Sequence, residues 1–358
     1  MDILLDDLPY NPSFFPFAQV RSLAHIRLGI LTIFEKWAHY FPGKVFIASE
    51  IAQKGGERDS SRVTFPANYL PSHSFLKDMA EAGKPLAIPE NSIHLTRPWH
   101  LLKYNDWALR DDFTALTSGR TSLKIPEGTR VVGEQNIFIE EGARIYFSII
   151  NAEEGPVYIG KNALVMEGCL VRGPLSLGHN SVVKMGTKIY GASTIGPNCV
   201  AGGEIKNSIL MDWSNKAHDG YLGDSVVDQW CNLGAGTSNS NLKNNVSEVK
   251  VWAKDKNDFI SAGLKCGLFM GSYSRSAINT SFNTGTVVGC NCNVFGAGFP
   301  PKFIDNFTWG NEPYELSKAL NDLEGWQKLK GAKTSSAEKE KLITIYKKSN
   351  HEKTDSSR

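Results

Sequence analysis

The chain has 358 residues, a formal net charge of +2 and six cysteines. The length implies two or three domains, and the near-neutral charge gives no footprint for nucleic acid or an anionic membrane surface. No apolar run reaches the roughly 20 residues of a membrane span, and the opening Met1-Asp-Ile-Leu-Leu-Asp-Asp7 puts acids where a secretory leader has a basic start, so a cytoplasmic protein is expected.

Residues 1–105 read as a small α/β head. Ile3-Leu4-Leu5 and Val45-Phe46-Ile47 have strand character. Phe34, Trp37, Ala38 and Phe41 share one face of a helix predicted over 30–41, and Gly83 closes a second over 73–82. A helical connector is predicted over 100–113. The stretch 106–122 joins the head to the next domain, and 117–122 reads as linker.

A six-residue period then takes over, within a domain placed at 123–302. Ile159, Val165, Val171, Leu177, Val183, Ile189 and Ile195 recur every six residues without a miss, and a mostly small residue comes four later at Ala163, Cys169, Leu175, Ser181, Thr187, Ser193 and Cys199. Gly160-Lys-Asn162, Gly178-His-Asn180 and Gly196-Pro-Asn198 recur every 18 residues, so three hexads make one triangular coil. A helix would show spacings of 3 and 4, and a lone strand would alternate by 2. Gly and Asn suit the corners because both tolerate left-handed backbone. The fold class predicted is mainly β, a left-handed parallel β-helix of hexapeptide repeats whose coils stack because none buries its apolar side alone. Its hand is an exception to the right-handed crossover rule.

The register starts earlier at Ile139 with Ala143. It returns at Val227 and Leu233, and again at Leu264, Met270, Ser276, Phe282, Val288 and Val294. Residues 203–221 and 238–263 break it, and such insertions map to loops that carry binding groups. All six cysteines lie in this region, four of them (Cys169, Cys199, Cys231 and Cys292) in the small slot, and read as buried apolar thiols. Residues 303–358 are a helical extension with a polar tail. One helix is predicted from Pro313, with Leu316, Ala319, Leu320, Leu323 and Trp326 on one face. Ser335 and Glu338 form a capping box before another, and a disordered tail is expected from Ser349.

The chemistry lies in the broken register. His218 and His179 are the only histidines of the repeats, so a metal site of three imidazoles cannot be assembled and no metal is predicted there. Lys206, Lys216, Tyr221, Asn232 and Asn241 surround His218 in sequence, and all bind hydroxyls or phosphates. Lys188 and Lys206 are 18 residues apart, which predicts that they stack on adjacent coils with an anion such as phosphate between them. Two solvated lysines are the plainer alternative.

The segment Lys216-Ala-His218…Tyr221-Leu-Gly-Asp…Asn232-Leu-Gly-Ala-Gly-Thr…Asn241 resembles the acetyltransferase half of the bacterial bifunctional UDP-N-acetylglucosamine diphosphorylase / glucosamine-1-phosphate N-acetyltransferase family. About 180 residues are covered. The whole chain resembles a short-headed variant, marked by Arg27-Leu-Gly29, Thr32 to Trp37, Lys184 to Gly191, Asn239 to Lys243 and Phe282 to Val288. The resemblance implies acetyl-CoA as donor, glucosamine-1-phosphate or a related amino-sugar phosphate as acceptor, and a homotrimer with active sites between subunits. It implies His218 as the general base, a task an imidazole suits near neutral pH. Lys206 becomes a phosphate ligand, and Lys188 stands where the family has an arginine. Tyr221, Asn232 and Asn241 become sugar-phosphate and acyl-group contacts, and Ser272 and Ala297 line the coenzyme A groove. For a family lysine after the Asn241 segment, Lys250 is the nearest candidate. Backbone amides at Ala235 and Gly236 are candidates for the pantetheine arm or thioester oxygen.

For the head, the resemblance implies a nucleotidyltransferase-like domain that takes UTP and Mg²⁺. The loop after the first strand, Leu5-Asp-Asp-Leu-Pro-Tyr-Asn-Pro12, lacks the glycines that let backbone amides cradle phosphates. Arg21, Arg27 and Lys36 are the candidate phosphate contacts, and Asp6 or Asp7 the candidate Mg²⁺ ligand. The alternatives are a head kept for packing, an acyltransferase for a different nucleotide-linked amino sugar, and a non-catalytic β-helical assembly protein.

Overall fold

The structure is a computed structural model that describes residues 1–57 and 59–355. Its centre is a parallel β-helix of three sheets, the coil that the hexad period predicts. Face A stacks nine strands from Ile137–Ile139 to Phe303–Ile304, and face B runs from Arg144–Ile145 to Thr308–Trp309. Face C stacks six strands from Arg130–Val132 to Tyr221–Gly223. All seven hexad leaders from Ile159 to Ile195 are buried in one apolar core. The corner asparagines Asn162, Asn180 and Asn198 take positive φ of 56–58° and form a side-chain ladder, each Nδ2 donating to the next Oδ1 at 3.4 and 3.2 Å. Leu264, read as a hexad leader, is 51% exposed, because the ladder resumes only at Leu268–Met270.

The head sheet is parallel, with Ile3–Asp6 between Val45–Ile47 and Val63–Pro66. Helix α1 (Ile33–Tyr40) begins at a capping box. Thr32 Oγ1 accepts from the Glu35 N–H, and Glu35 Oε2 accepts from the Thr32 N–H at 2.7 Å. Helix α2 (Ala48–Gln53) comes after the second strand, and α3 (His73–Ala82) ends at Gly83 in the left-handed region, φ 64°. The head is packed on face A. Phe17 meets Phe269 at 6.1 Å between ring centroids, and Ile209, Met211, Val226 and Val287 are buried in the head's own core. Burial of each such side chain contributes about 1.5–3 kcal/mol, so head and coil share one hydrophobic core.

The predicted connector is a structural clamp. Helix α4 (His100–Thr117) runs four residues beyond the predicted end and lies on face A. Asn105 Oδ1 accepts from the Gly29 N–H and Thr194 Oγ1, and its Nδ2 donates to the Ala192 carbonyl. Asp112, fully buried, accepts from the Ile30 and Leu31 N–H groups and from Lys36 Nζ.

The second register break, 238–263, contains an antiparallel hairpin, Lys250–Ala253 with Asp258–Ser261. It braces the head, since Arg97 Nη1 is 2.6 Å from Asp255 Oδ1 and Val251 joins the head core. At the C-terminus, Pro313 lies in a strand pair with Thr308, outside the helix it was expected to start. Helix α5 spans Leu316–Leu329, with Glu315 as its N-cap residue. Helix α6 (Ser336–Asp355) begins with Ser335 Oγ accepting from the Glu338 N–H. It continues through the predicted tail: Ser349 is buried and accepts from Asn306 Nδ2 at 3.1 Å, while 356–358 lie outside the described residues. The two helices cover the C-terminal coils of face B, with Arg275 stacked on Trp326 and Lys330 donating to Asn215 Oδ1. Among the described residues no helix is long and apolar enough to cross a membrane.

Candidate active site

Head and C-terminal helices leave face C open, and its last strands carry the polar residues singled out above. Side chains alternate along a strand, so the outward positions of Lys188–Tyr190, Glu204–Lys206 and Tyr221–Gly223 form two columns. One is Lys188, Glu204, Tyr221, and the other is Tyr190, Lys206, Gly223.

This corrects the expected lysine stack. From Lys188 to its ladder partner Glu204 is 204 − 188 = 16 residues, two short of a regular coil. Lys188 therefore lies beside Glu204, and Lys206 lies beside Tyr190. The ammonium of Lys206 stands 5.7 Å from the centroid of the Tyr190 ring, a cation–π contact. Tyr190 Oη donates to Glu204 Oε1 at 2.6 Å, a bond that with burial pushes the phenol up to about 12.

Tyr221 leans over Gly223, where an added Cβ would come within 2.3 Å of its Oη. Asn241 Nδ2 donates to that Oη at 3.1 Å and also to Asp224 Oδ2. Asn207 Nδ2 donates to Asp224 Oδ1 at 2.6 Å. Burial, with Asp224 nearby, pushes the Tyr221 phenol up to about 12, so it stays a neutral donor at physiological pH. Asp224 is thus the anchor that fixes Asn241, and through it Tyr221. Sequence reading gave no role to Asp224, Tyr190, Glu204 or Asn207. Tyr190 and Asp224 lie inside the segments that carry the resemblance, and the signal for Glu204 and Asn207 was their place beside the register break.

His218 is exposed on the corner between Asn215–Lys216 of face B and Tyr221–Gly223 of face C. One corner further on, the Gly236 N–H donates to the Asp219 carbonyl and is already engaged, whereas the Ala235 N–H meets no protein acceptor among the described residues. Ala297 is exposed on the same edge of the coil.

Two expected contacts lie elsewhere in the chain. Asn232 projects from face B beside Asn215, whose Nδ2 donates to its Oδ1 at 3.3 Å, so it shares no face with Lys206 and Tyr221. Ser272 is 0% exposed, and its Oγ donates to Asp228 Oδ2 at 2.6 Å under the head, away from any groove. Lys250 is exposed on the hairpin, two residues from Glu248, whose carbonyl accepts from Lys243.

In the head all three candidate phosphate cations are held in ion pairs. Arg21 pairs with buried Asp228. Arg27 makes a two-pronged contact with Asp212 at 2.9 and 3.1 Å and reaches Glu35 at 3.2 Å. Lys36, fully buried, pairs with Asp112. The pairs with Asp228, Asp212 and Asp112 join head to coil or helix to helix, which no local sequence signal reveals. Asp7 is buried and accepts from Asn11 Nδ2, the Ser49 N–H and Ser49 Oγ, and against the upward push of burial the hydrogen-bonding groups of Ser22, Ser49 and Asn11 hold its carboxyl low. Its oxygens face donors, a poor fit to Mg²⁺. Asp6 ends the first strand. One group with metal-ligand geometry occurs among the described residues, His73 with Asp111 and Asp112, and there Lys36 already supplies positive charge. The six cysteines are free and buried, as expected of small apolar residues.

No family model matches the chain. It is similar to a bifunctional sugar-1-phosphate nucleotidylyltransferase/acetyltransferase of Sulfurisphaera tokodaii, at 32% identity over 200 residues, 56% of this chain and 43% of the relative. The bifunctional protein GlmU of Methanocaldococcus jannaschii is 33% identical over 230 residues, 62% of this chain and 47% of the relative. That of Methanococcus vannielii is 28% identical over 234 residues, 62% and 47%. The expected resemblance is thus found in sequence, and the chain spans about half the length of these curated relatives. A solved polysialic-acid-specific acetyltransferase, NeuO, matches at 12% identity and a TM-score of 0.24, covering 51% of this chain and 76% of its own, a score too low to bear on function.

Proposed function

We propose that the chain is an acetyl-CoA-dependent N-acetyltransferase acting on glucosamine-1-phosphate or a close amino-sugar phosphate. The observation that carries the reading is the grouping on one open face of Lys206, Tyr221 and Asn241 beside the corner that bears His218. A cation, a neutral phenol donor and a carboxamide are what a phosphorylated sugar needs. The imidazole is the base. It takes a proton from the amine as the nitrogen attacks the thioester carbonyl. The C–N bond forms, the C–S bond breaks, and coenzyme A leaves as the thiol with that proton. The Ala235 N–H is available to a thioester oxygen that gains charge in this step. The similarity to relatives named as acetyltransferases supports the same chemistry.

The reading includes a homotrimer. Face C carries exposed Ile149 and Leu170, and the adjoining corner carries Phe147 and Met185, 68% and 65% exposed. Face A and the C-terminal coils of face B are covered by the chain's own head and helices, so further copies docked on this apolar stripe would bring their residues to the site. Ala297, on the exposed edge of the coil, belongs in this reading to a neighbour's contribution. Acetyl-CoA as donor and free buried thiols fit a cytoplasmic setting.

The proposal does not extend to the nucleotidylyl transfer named for the Sulfurisphaera relative, because Arg21, Arg27 and Lys36 are committed to carboxylates. The head is read as a brace for the coil. The test is coenzyme A release with glucosamine-1-phosphate, compared with a nucleotide-linked amino sugar. Turnover on the sugar phosphate supports the reading. Turnover only on the nucleotide-linked sugar replaces it with the alternative acyltransferase, and turnover on neither contradicts it.

A further inference from the structure

We propose that Lys216 is a positioning residue for His218, acting from inside the coil. The inference rests on the reading of His218 as the base. The inward column of face B runs Ile145, Val165, Val183, Ala201, then Lys216. At a position where the repeat calls for a small or aliphatic residue stands a lysine that is 1% exposed. Its ammonium donates to the Gly202 carbonyl at 3.1 Å and to the His218 carbonyl. No carboxylate bonds it.

A buried cation that no carboxylate hydrogen-bonds, with only the field of Asp219 to offset its burial, costs free energy that an aliphatic side chain would not. Burial here pulls the ammonium down to about 8. An interior position that is unfavourable for stability points to a role in shaping its surroundings, and the two carbonyls show which role. They belong to consecutive corners at the same edge of the coil. Four residues lie between Val183 and Lys188 across one corner, but only two between Ala201 and Glu204 across the next. The shortened corner is Gly202-Gly203, and the turn bearing His218 rests directly on it. A Cβ on Gly202 would come within 2.4 Å of the Ala217 carbonyl oxygen. Bare backbone below and the Lys216 ammonium between the two carbonyls therefore fix the His218 turn against the preceding coil. This holds the imidazole in place relative to Tyr221 and Lys206.

The test uses the full-length protein and three variants: Lys216→Met, Gly202→Ala and His218→Ala. Methionine keeps the volume and removes both donor bonds. Gly202→Ala disturbs the same turn from below and leaves Lys216 in place. Both are expected to lower kcat about 10–100-fold, as a small misplacement of a catalytic group does, with KM for acetyl-CoA and the amino-sugar phosphate within about threefold. Lys216→Met should melt at or above the wild-type temperature, since it removes a buried charge. A purely structural lysine would give the reverse, a lower melting temperature with kcat intact. If wild-type activity needs His218 but survives Lys216→Met unchanged, this inference alone is overturned. If Lys216→Met does not fold, a wild-type kcat in Gly202→Ala overturns it. Activity indifferent to His218→Ala removes the reading of the base and this inference with it.

Discussion

Lys188 and Glu204 are ladder partners on adjacent strands of the open face, so the carboxylate occupies the place beside Lys188 that a second cation was expected to fill. The consequence is a division of labour. Lys188 has an acid as its neighbour, whereas Lys206 stands over the Tyr190 ring in the next column, and its ammonium is the one left to meet a phosphate.

Lys206→Ala is accordingly expected to raise KM for the sugar phosphate by about 10–100-fold, the loss of a charge-assisted hydrogen bond, with a smaller change in kcat. Lys188→Ala should change it less than about threefold. Steady-state kinetics on the two variants checks this, and the opposite ranking would return the phosphate to Lys188.

Gly223 offers a test that leaves every polar group in place. A methyl there would strike Tyr221 Oη and push the ring off the Asn241–Asp224 network. Gly223→Ala should therefore raise KM for the sugar phosphate about as much as Tyr221→Ala does, on the order of tenfold. A wild-type KM would mean that the position of Tyr221 does not matter.

The repeats were legible because each coil obeys the same local rule, and the seven leaders from Ile159 to Ile195 are all buried as their spacing required. The register failed where coil length changed. Counting by 18 across Lys188 overshoots Glu204 by two residues, because the Gly202-Gly203 corner is short, and nothing in the hexad pattern announces a deletion inside a corner. Asn232 was misplaced for a related reason. Nearness in sequence to His218 does not say which face of the triangle a residue leaves from, and the strand Asn232–Leu233 belongs to face B. In the head, strand Val45–Ile47 and the stop at Gly83 came from local propensity. Asp228, Asp212 and Asp112, the carboxylates that Arg21, Arg27 and Lys36 reach across the fold, are between 76 and 207 residues away, beyond any local signal.

The pairing of Arg27 with Asp212 predicts a stability effect with a definite pH dependence. Burial pushes the Asp212 carboxyl up, but Arg27 outweighs it and holds the group below its ordinary 3.8. A depressed carboxylate contributes stability above its unfolded pKa and loses it as pH falls through the folded value. Asp212→Asn leaves a buried guanidinium with one charge partner fewer and should cost about 3 kcal/mol at pH 7. The gap between variant and wild-type denaturation midpoints should narrow below about pH 4. Equal midpoints at pH 7 would remove the ion pair from the forces joining head to coil.

The head can be examined on its own chemistry. Pyrophosphate release from UTP and N-acetylglucosamine-1-phosphate should not exceed the enzyme-free rate. Arg27→Met should lower the melting temperature instead. Release that Arg21→Met abolishes without a change in melting temperature would restore the head as a nucleotide site.

The central claim is that His218 is the base for acetyl transfer to an amino-sugar phosphate. The most direct measurement is the rate of coenzyme A release from acetyl-CoA with glucosamine-1-phosphate, wild type against His218→Ala. His218 is exposed, so the variant should fold and melt as the wild type does. Its kcat should fall by about 10²–10⁴-fold, the usual contribution of a positioned base. Equal rates in the two proteins would contradict the account.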